Sequence, residues 1–346
     1  MTNTDERAFL DAIYATPDED APRLVFADWL DERGSDDDKA RAALIRAQCQ
    51  AEYPSPASKK RKSLEREAKA ILKANADRWL TALRYGGVGH SFQFRRGFLD
   101  GLTISPTAFI RHGKRLFELA PTLRTVRFPN AANELTELAD SPFLAKLASA
   151  NLTLMCTCGY CAIDDELRDL FKSKHARNLR HLNVSRDRID ADGAAALARS
   201  SNLANLTSLD LSDNPLGPDG VAALAKSKHL KKLTSLVLSR IGLAPTLDSF
   251  TALSILAASK HFSSLTRLEL VGNGINVSGV AVLATARFFK QLTHLDLSKN
   301  RIGETGAKAL IGAENDKLEW LDLRGNQLGP RAIKWLRTKF GKRVKV

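Results

Sequence analysis

The chain has 346 residues, 44% of them hydrophobic and 26% charged, with a formal net charge of +13. That composition supports a large buried core and excludes global disorder, while four cysteines exclude a disulfide-built scaffold and no apolar run approaches the roughly 18 residues of a membrane span. Met1–Arg7 has no signal-like layout, so the expectation is a cytoplasmic chain with reduced thiols.

Asp5–Tyr14 predicts a short amphipathic helix, with Asp5 and Glu6 in its opening turn and Phe9 and Ile13 four apart. Pro17 and Pro22 interrupt it. Arg23–Arg33 predicts a second helix, with Val25/Trp29 and Phe26/Leu30 as apolar pairs and Gly34 as its stop. A third runs from Asp37 to Glu52, and Pro54 and Pro56 mark a hinge. Residues 1–56 carry 6 basic and 13 acidic side chains, which makes 1–53 an acidic helical domain.

The pattern A-F-L-x-A-I-x-A-x-P, then R-L-V-F-A-D-W-L-D-E-R-G, over residues 8–34 resembles the short repeat-companion domain that precedes repeat arrays in many bacterial proteins. Arg41–Gln48, Trp79-Leu80 and Phe94–Phe98 resemble later phrases of the same family. The resemblance implies architecture and brings no catalytic residues.

In the connector, 54–97, Leu64, Ala68, Ile71, Leu72, Trp79, Leu80 and Leu83 recur at helical spacing and predict a helix over 63–83 that caps the first repeat. Residues 57–96 carry 11 basic and 3 acidic side chains, and Lys62, Arg66, Lys69 and Lys73 line one helix face. That face is a candidate anion site, set against the plainer reading of a solvated helix surface.

Nine L-x-x-L-x-L-like phrases follow, opening at Leu99, Leu123, Leu147, Leu179, Leu206, Leu233, Leu265, Leu292 and Leu318. Apolar residues at relative positions 0, 3 and 5, with polar ones at 2, 4 and 6, predict short strands buried on one side. One such unit cannot bury its own core, so the units must stack. With intervals of 24 to 32 residues and Gly-x-x-Gly-x-x-x-Leu segments, as at Gly217–Leu224 and Gly303–Leu310, the array resembles helix-bearing leucine-rich repeats of the ribonuclease-inhibitor type. The resemblance implies an α/β solenoid over 98–346, with parallel strands on the concave face, helices on the convex face and a C-terminal helical cap, preceded by the all-α N-terminal region. Asn214, Asn273, Asn300 and Asn326 match the family's turn asparagine, eight residues after each opening leucine. Asp187 and Ile241 depart from it, so their turns are expected to be less regular. The sequons at Asn151, Asn183, Asn205 and Asn276 are read as repeat structure, not glycosylation sites.

Positions 2 and 4 of the later repeats nominate a partner-binding face: Asp210, Arg267, Glu269, His294, Asp296, Trp320 and Asp322. An acidic midline ending on an aromatic suits a basic protein or peptide, although Leu-Asp-Leu-Ser is also ordinary repeat consensus. Cys156, Cys158 and Cys161 could converge on a structural zinc ion, which takes four ligands, so Cys49, His175 or His181 would have to complete the set. The plainer reading is a group of reduced, partly buried thiols, and no other cofactor is implied. At the C-terminus, Ile333, Leu336 and Phe340 underlie a basic exterior, with 7 basic and no acidic side chains over 331–346.

No P-loop, H-E-x-x-H, G-x-S-x-G or G-x-G-x-x-G pattern occurs. The leading expectation is a monomeric, non-enzymatic module that binds a protein on the concave face. The alternative is nucleic-acid or anionic-surface association through the flanks 57–96 and 331–346. The acidic N-terminal region could also dock on one of those flanks.

Overall fold

The computed structural model describes residues 3–53, 55, 58–85, 89–132, 134–153, 163–243 and 247–346. They fall into two compact units, Met1–Arg127 and Phe128–Val346.

The first unit contains helices α1 (Asn3–Ala15), α2 (Ala21–Arg33), α3 (Asp36–Glu52), α4 (Lys59–Trp79) and the short α5 (Thr81–Tyr85). Ser35 and Ser58 start α3 and α4 by accepting the amides of Asp38 and Arg61, and Gly34, at φ +79°, ends α2 in the left-handed conformation. Ile13, Phe26, Trp29, Ile45, Cys49 and Phe98 meet in the core. Val25, expected to pack beside Trp29, is 53% exposed. The buried arc of α2 centres on Phe26, Ala27 and Leu30, and only the larger Trp29 indole reaches back to it, with the Arg33 guanidinium 4.7 Å from its ring.

Helix α4 begins and ends earlier than its periodicity predicts, and most of its apolar face meets α3. Its Ala68, Ile71, Leu72 and Trp79 lie against Leu44 and Ala47 of α3. The exposed edge of β2 (Phe98–Thr103) is taken instead by an antiparallel strand, β1 (His90–Arg95), absent from the sequence expectation. A two-residue turn joins them, with Arg96 at φ 51° and Gly97 at φ 83°, as a type I′ hairpin requires. Gln48 of α3 clamps that turn: its Oε1 accepts the Gly97 amide at 2.7 Å, and its Nε2 donates to the Phe94 carbonyl at 3.1 Å. Helix α6 (Pro106–Leu119) then leads to β3 (Thr125–Arg127), parallel to β2.

The second unit repeats strand, turn and helix. Its strands are β4 (Ser149–Asn151), β5 (His181–Asn183), β6 (Ser208–Asp210), β7 (Ser235–Val237), β8 (Arg267–Glu269), β9 (His294–Asp296), β10 (Trp320–Asp322) and β11 (Val344–Lys345), each parallel to the next. The register is strict, so that Ser208, Ser235, Arg267, His294 and Trp320 lie side by side. The central residue of each strand, such as Leu209, Leu236 and Leu295, points into the core.

Helices α7 (Leu135–Asp140), α8 (Ile163–Lys172), α9 (Ala191–Arg199), α10 (Gly217–Ala225), α11 (Leu247–Ala258), α12 (Val277–Ala284), α13 (Gly303–Gly312) and α14 (Pro330–Phe340) pack in sequence on the other side. Neighbouring strands stand about 4.8 Å apart and packed helices about 8–10 Å apart, so the strand side takes the inner curve.

The turn asparagines work between coils. Asn300 donates from Nδ2 to the carbonyls of Leu270 and Leu297, both at 2.9 Å, and accepts the amides of Asn273 and Ile275 at Oδ1, at 2.9 and 3.0 Å. The irregularity expected at Asp187 and Ile241 is not seen. Arg186 and Arg240, one residue earlier, are left-handed at φ 66° and 53°, like Asp213, Gly272, Lys299 and Gly325 at the same place in their repeats. The reason is that each turn is held from the next coil: Asn214 Oδ1 accepts the Asp187 amide at 2.8 Å, and Asn273 Oδ1 accepts that of Ile241 at 2.9 Å. A threonine ladder adds to the stack, with Thr207, Thr234, Thr266 and Thr293 each donating Oγ1 to a carbonyl of the coil before.

Candidate functional site

The strand face carries the polar side chains of positions 2 and 4, and its first job is to form turns. Asp210 Oδ1 accepts from the amide and hydroxyl of Ser212 at 2.9 and 2.6 Å, while Oδ2 takes Asn183 Nδ2 at 3.3 Å. Asn151 and Asn183 cap the residue two further on in the same manner. Asn205 and Asn276 are also engaged, on the Arg177 carbonyl and the Gly279 amide, so each sequon asparagine has a structural bond.

The acidic midline is largely spent on such contacts. Arg267 binds the Glu269 carboxylate within its own strand, at 2.9 Å from Nε and 2.5 Å from Nη2. Asp322, expected to be exposed, has a side chain only 1% exposed. Its oxygens are taken by the Arg324 amide and by the Arg324 guanidinium, which folds back over it. Asp296 differs: Oδ1 caps the Ser298 amide at 2.9 Å, and Oδ2 makes no hydrogen bond among the described residues. Beside it the rings of His294 and Trp320 stack with centroids 6.3 Å apart at 30°, and His294 Nδ1 is 2.9 Å from Thr293 Oγ1. His294, Asp296 and Trp320 are half-buried, with one side of each open to solvent. Towards β4 the face forms an open cleft of about 510 Å³, lined by Asn183, Asp210, Val237, Arg267 and Glu269 among others. Along its edge Asp213 sits between Arg186 and Arg240, at 3.4 and 2.5 Å, and the hydrogen bond from Arg240 draws its carboxyl below the usual range.

Lys62, Arg66, Lys69 and Lys73 are all exposed on α4, and none pairs with a carboxylate among the described residues. Arg66 instead returns to the Lys62 carbonyl, and Arg61 pairs with Glu65 within the helix. Cys156, Cys158 and Cys161 lie outside the described residues. Among the described residues no group of three or more His, Cys, Asp or Glu could hold a metal ion. No helix is long and apolar enough to cross a membrane.

Two polar clusters of the first unit escaped the sequence reasoning. Arg41 sits against three rings, its guanidinium 4.9 Å from Trp79, 5.1 Å from Phe98 and 5.6 Å from Phe94, and burial lowers its pKa to about 10. Asp20, a buried carboxylate, meets Arg96 at 3.0 Å and accepts the Tyr53 hydroxyl at 2.6 Å. Helical spacing identifies Arg41 only as a polar residue between apolar neighbours, and Arg96 comes to Asp20 from 76 positions away.

The Leucine Rich repeat family model matches residues 175–198, 202–225, 263–284 and 291–310. No curated protein matches the chain. Among solved structures, a protein from Bacteroides fragilis is similar over 82% of this chain and 83% of its own, at 15% identity and a TM-score of 0.47. An internalin from Listeria monocytogenes is similar over 66% of this chain and 69% of its own, at 19% identity and a TM-score of 0.36. The matched segments lie within the coils whose asparagine, threonine and leucine ladders are described above, and this part of the chain carries leucine-rich repeats.

Proposed function

We propose that the chain is a non-enzymatic binding module whose protein partner docks on the strand face of the last repeats, centred on His294, Asp296 and Trp320. The observation that carries this is the contrast along the face: Asp210 and Asp322 have both carboxylate oxygens bonded to neighbours and Glu269 is paired with Arg267, whereas Asp296 has an unbonded carboxylate oxygen and no cationic partner among the described residues, beside the stacked His294 and Trp320 rings. An aromatic that is half-covered before binding, next to an uncommitted charge, is the type of anchor on which interface energy concentrates. A basic, aromatic-tolerant peptide or protein surface fits it. The strict strand register supports the reading further, because it presents these groups without an ordering cost at association.

The test compares immobilised full-length chain with an Asp296→Ala/Trp320→Ala variant in extract of the source cell. A protein that is retained by the first and lost by the second, and that binds purified wild-type chain by calorimetry, is the expected result. Equal retention of every captured protein by both would overturn the site.

A further inference from the structure

Between each helix and the next strand of the second unit runs a short turn-rich segment, for which Lys174–Asn178, Ser201–Leu203 and Phe289–Gln291 form 3-10 turns. Taken in register, the segments 172–178, 199–205, 226–232, 258–264 and 285–291 carry eleven Lys and Arg, three His and no Asp or Glu. All eleven cations are exposed. The corresponding segments on either side end the run, with Asp140 before it and Glu314 and Asp316 after it. Lys290 pairs with Glu314 at 2.7 Å, but the other ten have no carboxylate partner among the described residues, and Arg177 and Lys232 donate to the neutral Asn202 and Asn205. Cations of adjacent coils lie close enough to act on one another: His261 is held below the usual histidine range by desolvation and then by Lys231, Lys260 and Lys228.

The row is fixed by the coil stack. Ser200, Ser227 and Ser259 donate Oγ to carbonyls of the preceding coil, Phe171, Ala198 and Ala225, at 2.5, 2.5 and 2.6 Å. In a Ser-Lys-His triplet the same hydroxyl accepts the histidine amide, as Ser227 does from His229 and Ser259 from His261, both at 3.2 Å. Lys228 and Lys260 are the central residues of those triplets, and Lys174 holds the same place between Ser173 and His175. The backbone on both sides of each of these three lysines is therefore pinned, and the three coils present Lys174, Lys228 and Lys260 from the same point.

We propose that this basic rim binds the phosphodiester backbone of duplex nucleic acid without reading its bases. Its residues are other than those of the strand face and of the basic flanks, and it stands independently of the function proposed above. A protein interface is disfavoured because no exposed large hydrophobic side chain lies within the five segments to serve as an anchor. Single strands are disfavoured because the five segments carry no exposed Phe, Tyr or Trp for base stacking. Lysine-rich charge suits phosphate, which needs no apolar contact. At about 4.8 Å per coil the rim spans at least about 20 Å, over which a duplex presents roughly one charge every 1.7 Å.

Fluorescence anisotropy of the full chain with a random-sequence 20-base-pair DNA tests this between about 50 and 200 mM salt. The expected result is binding at low salt that falls steeply as salt rises. Lys228→Glu/Lys231→Glu/Lys260→Glu should lose about 30-fold or more and lower the logarithmic salt slope by about 3. The corresponding Lys→Arg variant should retain affinity, and a Lys→Gln set replaces the reversal if circular dichroism shows the latter unfolded. Reversal of Lys62, Lys69 and Lys73 should cost clearly less. Absence of wild-type binding at low salt, an unaffected rim variant, an equal loss from the α4 reversal, or preference for phosphatidylserine vesicles over DNA would each overturn the proposal.

Discussion

Arg324 lies back over Asp322, its Nε 3.0 and 2.9 Å from the two carboxylate oxygens, and so converts a strand-face acid into a buried turn-forming one. Asp296, one repeat earlier and in register with it, has no such cover. Two residues of identical type and repeat position therefore have different uses.

Asp322→Ala is accordingly expected to act on stability. It removes an acceptor from the Arg324 amide and leaves the guanidinium without its partner, at a cost of about 1–3 kcal/mol. Asp296→Ala should cost about 1 kcal/mol or less, since it gives up one cap. Urea unfolding followed by circular dichroism measures both, and a larger loss from Asp296→Ala would contradict the assignment.

Asn300→Ala removes the side-chain partner of the Leu270 carbonyl and of the Asn273 and Ile275 amides, while the Leu297 carbonyl keeps Asn326 Nδ2 at 2.8 Å. Asn300 is only 4% exposed, so bulk solvent does not reach these groups in the folded chain. A loss of about 3 kcal/mol or more is expected, and Asn300→Asp, which keeps shape but not the donors, should not rescue it. Hydrogen exchange at Asn273 and Ile275 should accelerate in parallel.

Gly97→Ala tests the hairpin at the edge of β2. Its φ of +83° and a Cβ placed 2.1 Å from Ile45 Cγ1 and 2.9 Å from Ile45 Cα leave no room for a methyl group. The substitution should destabilise the first unit by about 3 kcal/mol or more through backbone strain and overpacking together. Gln48→Ala, which only releases the clamp on the turn, should cost less. The urea midpoints of the two variants give the order directly.

Cys49 is 1% exposed, and burial with the neighbouring Asp20 carboxylate pushes its thiol up to about 12 against the pull of Arg23 and Arg96. An unfolded thiol ionises near about 8.5, so the folded chain keeps a proton that the unfolded chain releases. This contribution is complete below that pH and is lost as pH rises from there towards about 12. Cys49→Ala should flatten the fall of the urea midpoint between pH 8.5 and 10. Peptide mapping after iodoacetamide at pH 8 should find Cys49 alkylated only in denaturant, and equal labelling of the folded chain would count against the burial argument.

The sequence by itself determined the repeat, the inward leucines, the turn asparagines and the Gly34 stop, because each depends on spacing within one coil or one helix. Position 4 acids were equally legible as outward-facing groups. Which of them stay available was not, because Arg324, Ser212 and Arg267 decide that through side-chain rotamers and turn geometry. The strand His90–Arg95 was hidden because its purpose, covering an edge of β2, exists only once the chain has folded. The basic rim was hidden for a related reason. A net charge summed along the chain mixes helices, strands and turns, whereas stacking coils 27 or 32 residues apart brings Lys228, Lys231 and Lys260 together and leaves the acids on other faces. Periodicity specifies the coil, and only the contact between coils specifies the surface.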